Sequence, residues 1–282
     1  EILRSRLDAD GMHHIGLIGP NTANLFQRHI EMYEDKGVSN RVRATFAELD
    51  CHIWRMRFDY YPPAKRWPGY GMSEGIRRYL RPTVAAAHRL GKQLSLTEAG
   101  SMYFNDDPTT SRTTRHDAFL VMGEQIIRAM NEGVAGAMVW CYNNSGKIDG
   151  QWGWVGTRHH RFATVPHLMH GFAALMRPQR VGARLLRCTV DESDYSSFIA
   201  AAMCRDNDGA ETIWLVNDHP TQRIRTQVTL PNDEQRAEYT VARKDFDPEL
   251  KDLGRYRIAD NTIDLTLPCM SLTTLSTAPE TT

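Results

Sequence analysis

In Leu94-Ser95-Leu96-Thr97-Glu98-Ala99-Gly100 a short alternation of apolar and polar residues ends on a carboxylate. Leu94 and Leu96 fall on one side of the strand this stretch predicts, Ser95 and Thr97 on the other, because side chains alternate with period two. Glu98 comes where the strand gives out, and Gly100 permits a turn that most residues resist. A carboxylate held at such a tip is the first candidate for a catalytic group, its chemistry being proton transfer or covalent attack. The competing reading is a solvated strand-end charge. Other residues whose types suit a site stand at further strand ends and loops. His52 and Trp54 share a side near the end of the run Phe46–Trp54. Trp140 closes Val134–Trp140, and Asn143, Asn144 and Trp152 follow it. Tyr60 and Tyr61 lie in an aromatic-rich loop from Phe58 to Tyr70.

These residues need elements to hold them. Residues 1–8 read as helix, broken by Asp8-Ala9-Asp10-Gly11. His14–Pro20 reads as a buried strand, 23–36 as a helix capped by Asn21 or Thr22, and 46–54 as a strand. A helix is expected over 72–90, kinked or split by Pro82. Strand 93–98, helix 115–132, strand 134–140 and helix 162–177 follow. Strands alternating with helices predict parallel βα units, and in such folds chemistry collects at the carboxyl ends of strands. From about 179 the pattern becomes short and alternating: 184–190, 197–204, 211–216, 223–230, 239–243, 262–267 and 272–276. That texture predicts a β-sandwich of about 100 residues. The expected domains are therefore 1–178, α/β, and 179–282, all-β. A closed (β/α)₈ barrel takes about 250 residues, so the four βα units of the first part read as the second half of one.

Composition narrows the function classes. The 282 residues carry 34 basic and 34 acidic side chains, which argues against a nucleic-acid partner. Hydrophobic residues at 41% and aromatics at 9% are globular values, and no apolar run approaches the roughly 18 residues of a membrane helix. Cys51, Cys141, Cys188, Cys204 and Cys269 form no CxxC pair, and His159, His160, His167 and His170 have no metal-protease spacing. No metal and no cofactor are expected. A Gly-x-Ser-x-Gly elbow is absent, which removes the α/β-hydrolase class.

In order, four strand endings resemble strands five to eight of a retaining glycoside hydrolase barrel of clan A. They are Ile18-Gly19-Pro20-Asn21, then Cys51-His52-Ile53-Trp54, then Leu96-Thr97-Glu98-Ala99-Gly100, then Met138-Val139-Trp140 with Trp152-Gly153-Trp154. The resemblance spans 15–178, and a trailing sandwich suits several families of that clan. It implies a half TIM barrel plus sandwich, a carbohydrate substrate, and Glu98 as the nucleophile that forms a glycosyl-enzyme. A second carboxylic acid would stand about 5–5.5 Å away. In the clan it comes from an Asn-Glu pair ending strand four. Asn131-Glu132, the one Asn-Glu here, precedes strand eight at a helix end, so the acid/base is expected upstream of Glu1. The opening Glu1–Leu7, which reads as a helix already under way, carries the same expectation.

The resemblance also gives the remaining candidates roles. Trp140 offers a flat apolar face on which the C–H face of a sugar stacks, while hydroxyls need directional partners. His52 would bond the nucleophile or a sugar hydroxyl. Trp54 and Tyr60 would line the groove, and Asn143 and Trp152 would shape a subsite. The alternative reading is a non-catalytic carbohydrate-binding or scaffolding protein derived from such a barrel.

Overall fold

The computed structural model of the chain describes residues 2–19, 35–55, 80–101, 111–139, 143–145, 155–158, 161–164, 166–179, 182–191, 195–230, 238–247 and 249–277. They fall into two compact units, Glu1–Gly100 with Glu132–Trp140, and Ser101–Asn131 with Cys141–Thr282.

The first unit is built on a sheet of β1 (Leu49–Arg55), β2 (Leu94–Ser101) and β3 (Gly136–Val139), in that order. β2 and β3 run parallel, and a parallel bridge joins Ile18 to Glu48 beside β1. Neighbours in the sheet are thus successive in the chain, which parallel pairing permits only with a crossover between them. Helix α1 (Ile2–Ala9) opens the unit, α2 (Lys36–Thr45) precedes β1, and α3 (Arg81–Arg89) precedes β2. Asp35 caps α2 by accepting from the backbone N–H of Val38 at 2.9 Å. Pro82 stands in the first described turn of α3, and the preceding part of the expected helix, 72–79, lies outside the described residues. The expected strand at His14–Pro20 is reduced to the single bridge at Ile18, and Ile15 and Ile18 are 40% and 46% exposed. Its two isoleucines signal burial by type, but the bridge lies at the margin of the described sheet.

The second unit holds a six-stranded sheet in the order β12-β11-β14-β9-β8-β7 and a two-stranded sheet, β10-β13. Their ranges are β7 Arg184–Leu186, β8 Ile199–Arg205, β9 Glu211–Asn217, β10 Ile224–Thr229, β11 Glu238–Lys244, β12 Lys251–Arg257, β13 Thr262–Leu267 and β14 Ser271–Ser276. Ile199, Ala201, Met203, Ile213, Leu215, Tyr239, Val241 and Leu275 pack with Ile224, Ile263, Leu265 and Leu267 as the sandwich core. The opposite residues of the central strands, Ala200, Ala202, Trp214 and Val216, are buried as well. That second face is covered by α4 (Ser111–Asn131) and α5 (Pro166–Met176), with the Thr274 hydroxyl donating to the Ala174 carbonyl of α5 at 3.1 Å. Alanines at 200 and 202 suit a strand with a helix laid across it. Phe119 of α4 meets Phe172 of α5 edge-on at 5.6 Å.

Two expected boundaries change here. The helix expected at 162–177 gives way at its start to β6 (Arg161–Thr164), paired antiparallel with β5 (Val155–Arg158), which lies parallel to β4 (Asn143–Ser145). The helix then starts on Pro166, whose fixed φ suits a first helical position. Strand β12 was not among the expected sandwich strands. It ends the sheet, and its sequence Lys-Asp-Leu-Gly-Arg-Tyr-Arg has too few buried positions to show an alternation.

Candidate active site

The first unit's sheet carries a polar file where β1 and β2 meet. Glu48, Asp50 and His52 alternate with the buried Leu49 and Cys51, so they share a face. Each faces a polar residue from β2. Ser95 donates to Glu48, and Thr97 donates to Asp50 Oδ2 at 2.6 Å. His52 Nδ1 lies 3.2 Å from Glu98 Oε2.

Strict alternation would put Glu98 on the opposite face from Ser95 and Thr97, with Leu94 and Leu96. The register against β3 shows why it is not there. Leu96 pairs with Ala137 and Ala99 with Val139, three residues of β2 advancing against two of β3. The register thus shifts by one residue there, and such a shift re-aims a side chain. Leu94, Leu96 and Ala99 are all fully buried on one face, while Thr97 and Glu98 both turn to the other. The shift delivers Glu98 to His52.

Across that contact the Glu98 carboxylate, which only accepts, faces a ring nitrogen of His52. Nε2 is buried and has no partner among the described residues, and the same holds for Asp50 Oδ1. His52 is 7% exposed at its side chain and Glu98 24%, so a fixed imidazole holds a carboxylate that solvent still reaches. Cys51, between Asp50 and His52 in sequence, is no rival nucleophile. Burial first, and the Asp50 charge second, push its thiol up to about 12. Among the described residues no group of His, Cys, Asp and Glu is placed to hold a metal.

No family model and no curated protein sequence matches the chain. Solved structures do. A GH30 endoxylanase from Clostridium papyrosolvens superposes with a TM-score of 0.63 at 12% identity, over 98% of this chain and 59% of that one. A conserved exported protein from Bacteroides fragilis gives 0.71 at 14%, over 97% and 57%. A family 51 alpha-L-arabinofuranosidase from Bifidobacterium longum gives 0.63 at 14%, over 97% and 60%. The likeness to these structures is one of fold. The chain spans a little under two thirds of the length of these structures.

Of the residues singled out from sequence, the structure brings Glu98 and His52 together. Trp54 lies on β1 two residues beyond His52, and Asn143 opens β4; the side chains of both lie outside the described residues. Tyr60, Trp140 and Trp152 also lie outside them. Glu132, set aside as the acid, is held by Arg81 in a two-point pair at 2.6 Å on each oxygen. Sequence reasoning passed over Glu48 and Asp50. Their signal was there: acidic residues at every second position before His52, in a run whose other members are apolar.

Proposed function

We propose that the chain is the C-terminal part of a retaining glycoside hydrolase, comprising barrel strands five to eight and a β-sandwich. Glu98 is its nucleophile. The observation that carries this reading is the register shift in β2 that turns Glu98 onto His52 at 3.2 Å. A nucleophilic carboxylate has to be held in one orientation yet stay open to its substrate. A buried ring on one side and partial exposure on the other meet both demands.

In this mechanism Glu98 attacks the anomeric carbon as the leaving oxygen is protonated by a second carboxylic acid. Water then displaces the sugar from Glu98, with that acid now acting as base, so the anomeric configuration is kept. The acid belongs to a barrel strand outside these 282 residues. Trp54, Tyr60, Trp140, Asn143 and Trp152 remain the candidates for sugar contacts that the sequence offers. The substrate is a carbohydrate, the class on which the xylanases and arabinofuranosidases of the same fold act.

The test is Glu98→Gln in the full-length protein, together with product stereochemistry by NMR. Loss of turnover with a retained fold, and anomeric retention in the wild type, are expected. Unchanged hydrolysis, or inversion, refutes the assignment.

A further inference from the structure

We propose that the outer edge of β3 is a docking site for a further parallel strand, apolar in sequence, supplied by a part of the same protein outside these 282 residues. This rests on the half-barrel part of the reading above and not on Glu98. β3 ends the sheet β1-β2-β3 among the described residues. One contact fixes which of its backbone groups face outward. The Ala135 N–H donates to the Leu94 carbonyl at the start of β2 at 2.9 Å. Backbone groups alternate sides along a strand, so those of Ala137 also turn to β2, while the N–H and C=O of Gly136 and Met138 point away from it. No described strand pairs on that side.

Exposure and composition agree. Ala135, Gly136, Ala137 and Met138 are exposed, Met138 by 55%, although Leu94, Leu96 and Ala99 of the neighbouring strand are fully buried. Strands paired in parallel belong to sheets covered on both faces. Val134–Val139 reads Val-Ala-Gly-Ala-Met-Val and carries no charge, and an apolar edge without charge invites pairing with another segment. The six-stranded sheet of the second unit shows the contrasting case. Its terminal strand β12 carries Lys251, Asp252, Arg255 and Arg257, and β7 at the other end opens on Arg184. Charge of that kind blunts an edge left to solvent, and β3 has none.

The solved structures of like fold indicate the occupant. They take in 97–98% of this chain, which spans 57–60% of theirs, so the matching fold continues in a segment outside it. The small side chains of β3 leave the bulk to that segment, whose docking strand is rich in Val, Ile or Leu.

The test is amide hydrogen exchange of 134–139, resolved to single residues by fragmentation in a mass spectrometer, on the 282-residue chain and on the full-length protein. In the full-length protein the Gly136 and Met138 amides are expected to slow by about a hundredfold or more, as an open edge becomes a sheet interior. Ala135 and Ala137, bonded to β2 in both, slow by a smaller factor. Met138→Lys places a charge on the edge and should lower the melting temperature of the full-length protein by about 5 °C while moving that of the 282-residue chain much less.

Gly136 and Met138 amides that exchange equally fast in both proteins overturn the proposal, as does an equal effect of Met138→Lys in both. Protection already present in the 282-residue chain, together with a dimer in sedimentation, makes a second copy the occupant and overturns it too. Normal hydrolysis by Glu98→Gln would leave the exchange pattern as expected, so the two readings fail separately.

Discussion

Nδ1 of His52 and Oε2 of Glu98 lie 3.2 Å apart on neighbouring strands. The ring is buried and the carboxylate is not, so the contact orients Glu98 without closing it off. The other ring nitrogen, Nε2, is also buried and has no partner among the described residues.

Replacing His52 separates its donor from its ring. In His52→Asn the side-chain amide nitrogen stands close to where Nδ1 was, so a donor to Glu98 survives. In His52→Leu it does not. We expect His52→Leu to lose about a hundredfold in kcat and His52→Asn about tenfold, within the range of single positioned polar groups. Steady-state kinetics with circular dichroism to confirm folding checks the order. Equal losses in the two variants would show that the ring matters for packing rather than for its Nδ1 hydrogen.

Glu98 itself should behave as a covalent centre. In Glu98→Gln the amide keeps the shape but cannot attack, and turnover should fall by at least about a thousandfold. Mass spectrometry of wild type treated with a 2-deoxy-2-fluoro glycoside should place the adduct on a peptide containing Glu98. An adduct on another carboxylate moves the nucleophile elsewhere.

Two glycines facing the same phenylalanine give opposite predictions. A Cβ on Gly171 of α5 would come within 2.3 Å of a Phe119 ring carbon, whereas a Cβ on Gly123 of α4 would meet that ring at 3.5 Å. Gly171→Ala overpacks a fully buried ring and should cost about 1–3 kcal/mol. Gly123→Ala makes an ordinary contact inside a helix and should be neutral or gain up to about 1 kcal/mol. Thermal or urea denaturation of the two variants side by side measures the difference.

Lys244 gives a pH signature. It is fully buried, and its ammonium donates to the Asp245 and Asp247 carbonyls and faces His116 Nδ1 at 3.4 Å. His116 Nε2 in turn bonds the Met270 carbonyl at 2.7 Å. Burial pulls the Lys244 ammonium down from 10.5 to about 8, the Asp245 and Asp247 charges opposing this and Lys251 adding to it. A cation whose folded pKa is depressed penalises the fold below that value. Between pH 8 and 10.5 the unfolded chain holds more protons, so stability rises with pH across that window. Wild type should therefore gain on Lys244→Met over the same interval, by on the order of 1 kcal/mol. Urea titrations of both at several pH values check it. A constant difference would mean that the ammonium has its ordinary affinity for protons.

What could be read from the chain alone follows from rules of short range. Leu94, Leu96 and their polar alternates gave a strand because period two is local, and Gly133, at φ +94°, ended α4 where a glycine was expected to. The turn signals and short alternating runs after 179 marked strands at most of the positions where the sandwich has them. The same logic expected the strand to give out at Glu98 and His52 to stand near a strand end, whereas β2 runs on to Ser101 and His52 is the middle residue of β1.

Which side of β2 Glu98 occupies was beyond those rules. By alternation it belongs with Leu96, and only the register against β3 inserts the extra residue that turns it over. Asp50 and Thr97 meet for the same reason, since pairing between strands is a property of the sheet and not of either segment. The tertiary structure also decided that α4 and α5 lie across the six-stranded sheet, a face that Ala200 and Ala202 leave low enough to cover. Local sequence specifies which side chains an element can offer. Register and packing, which depend on residues far apart in the chain, select those that meet.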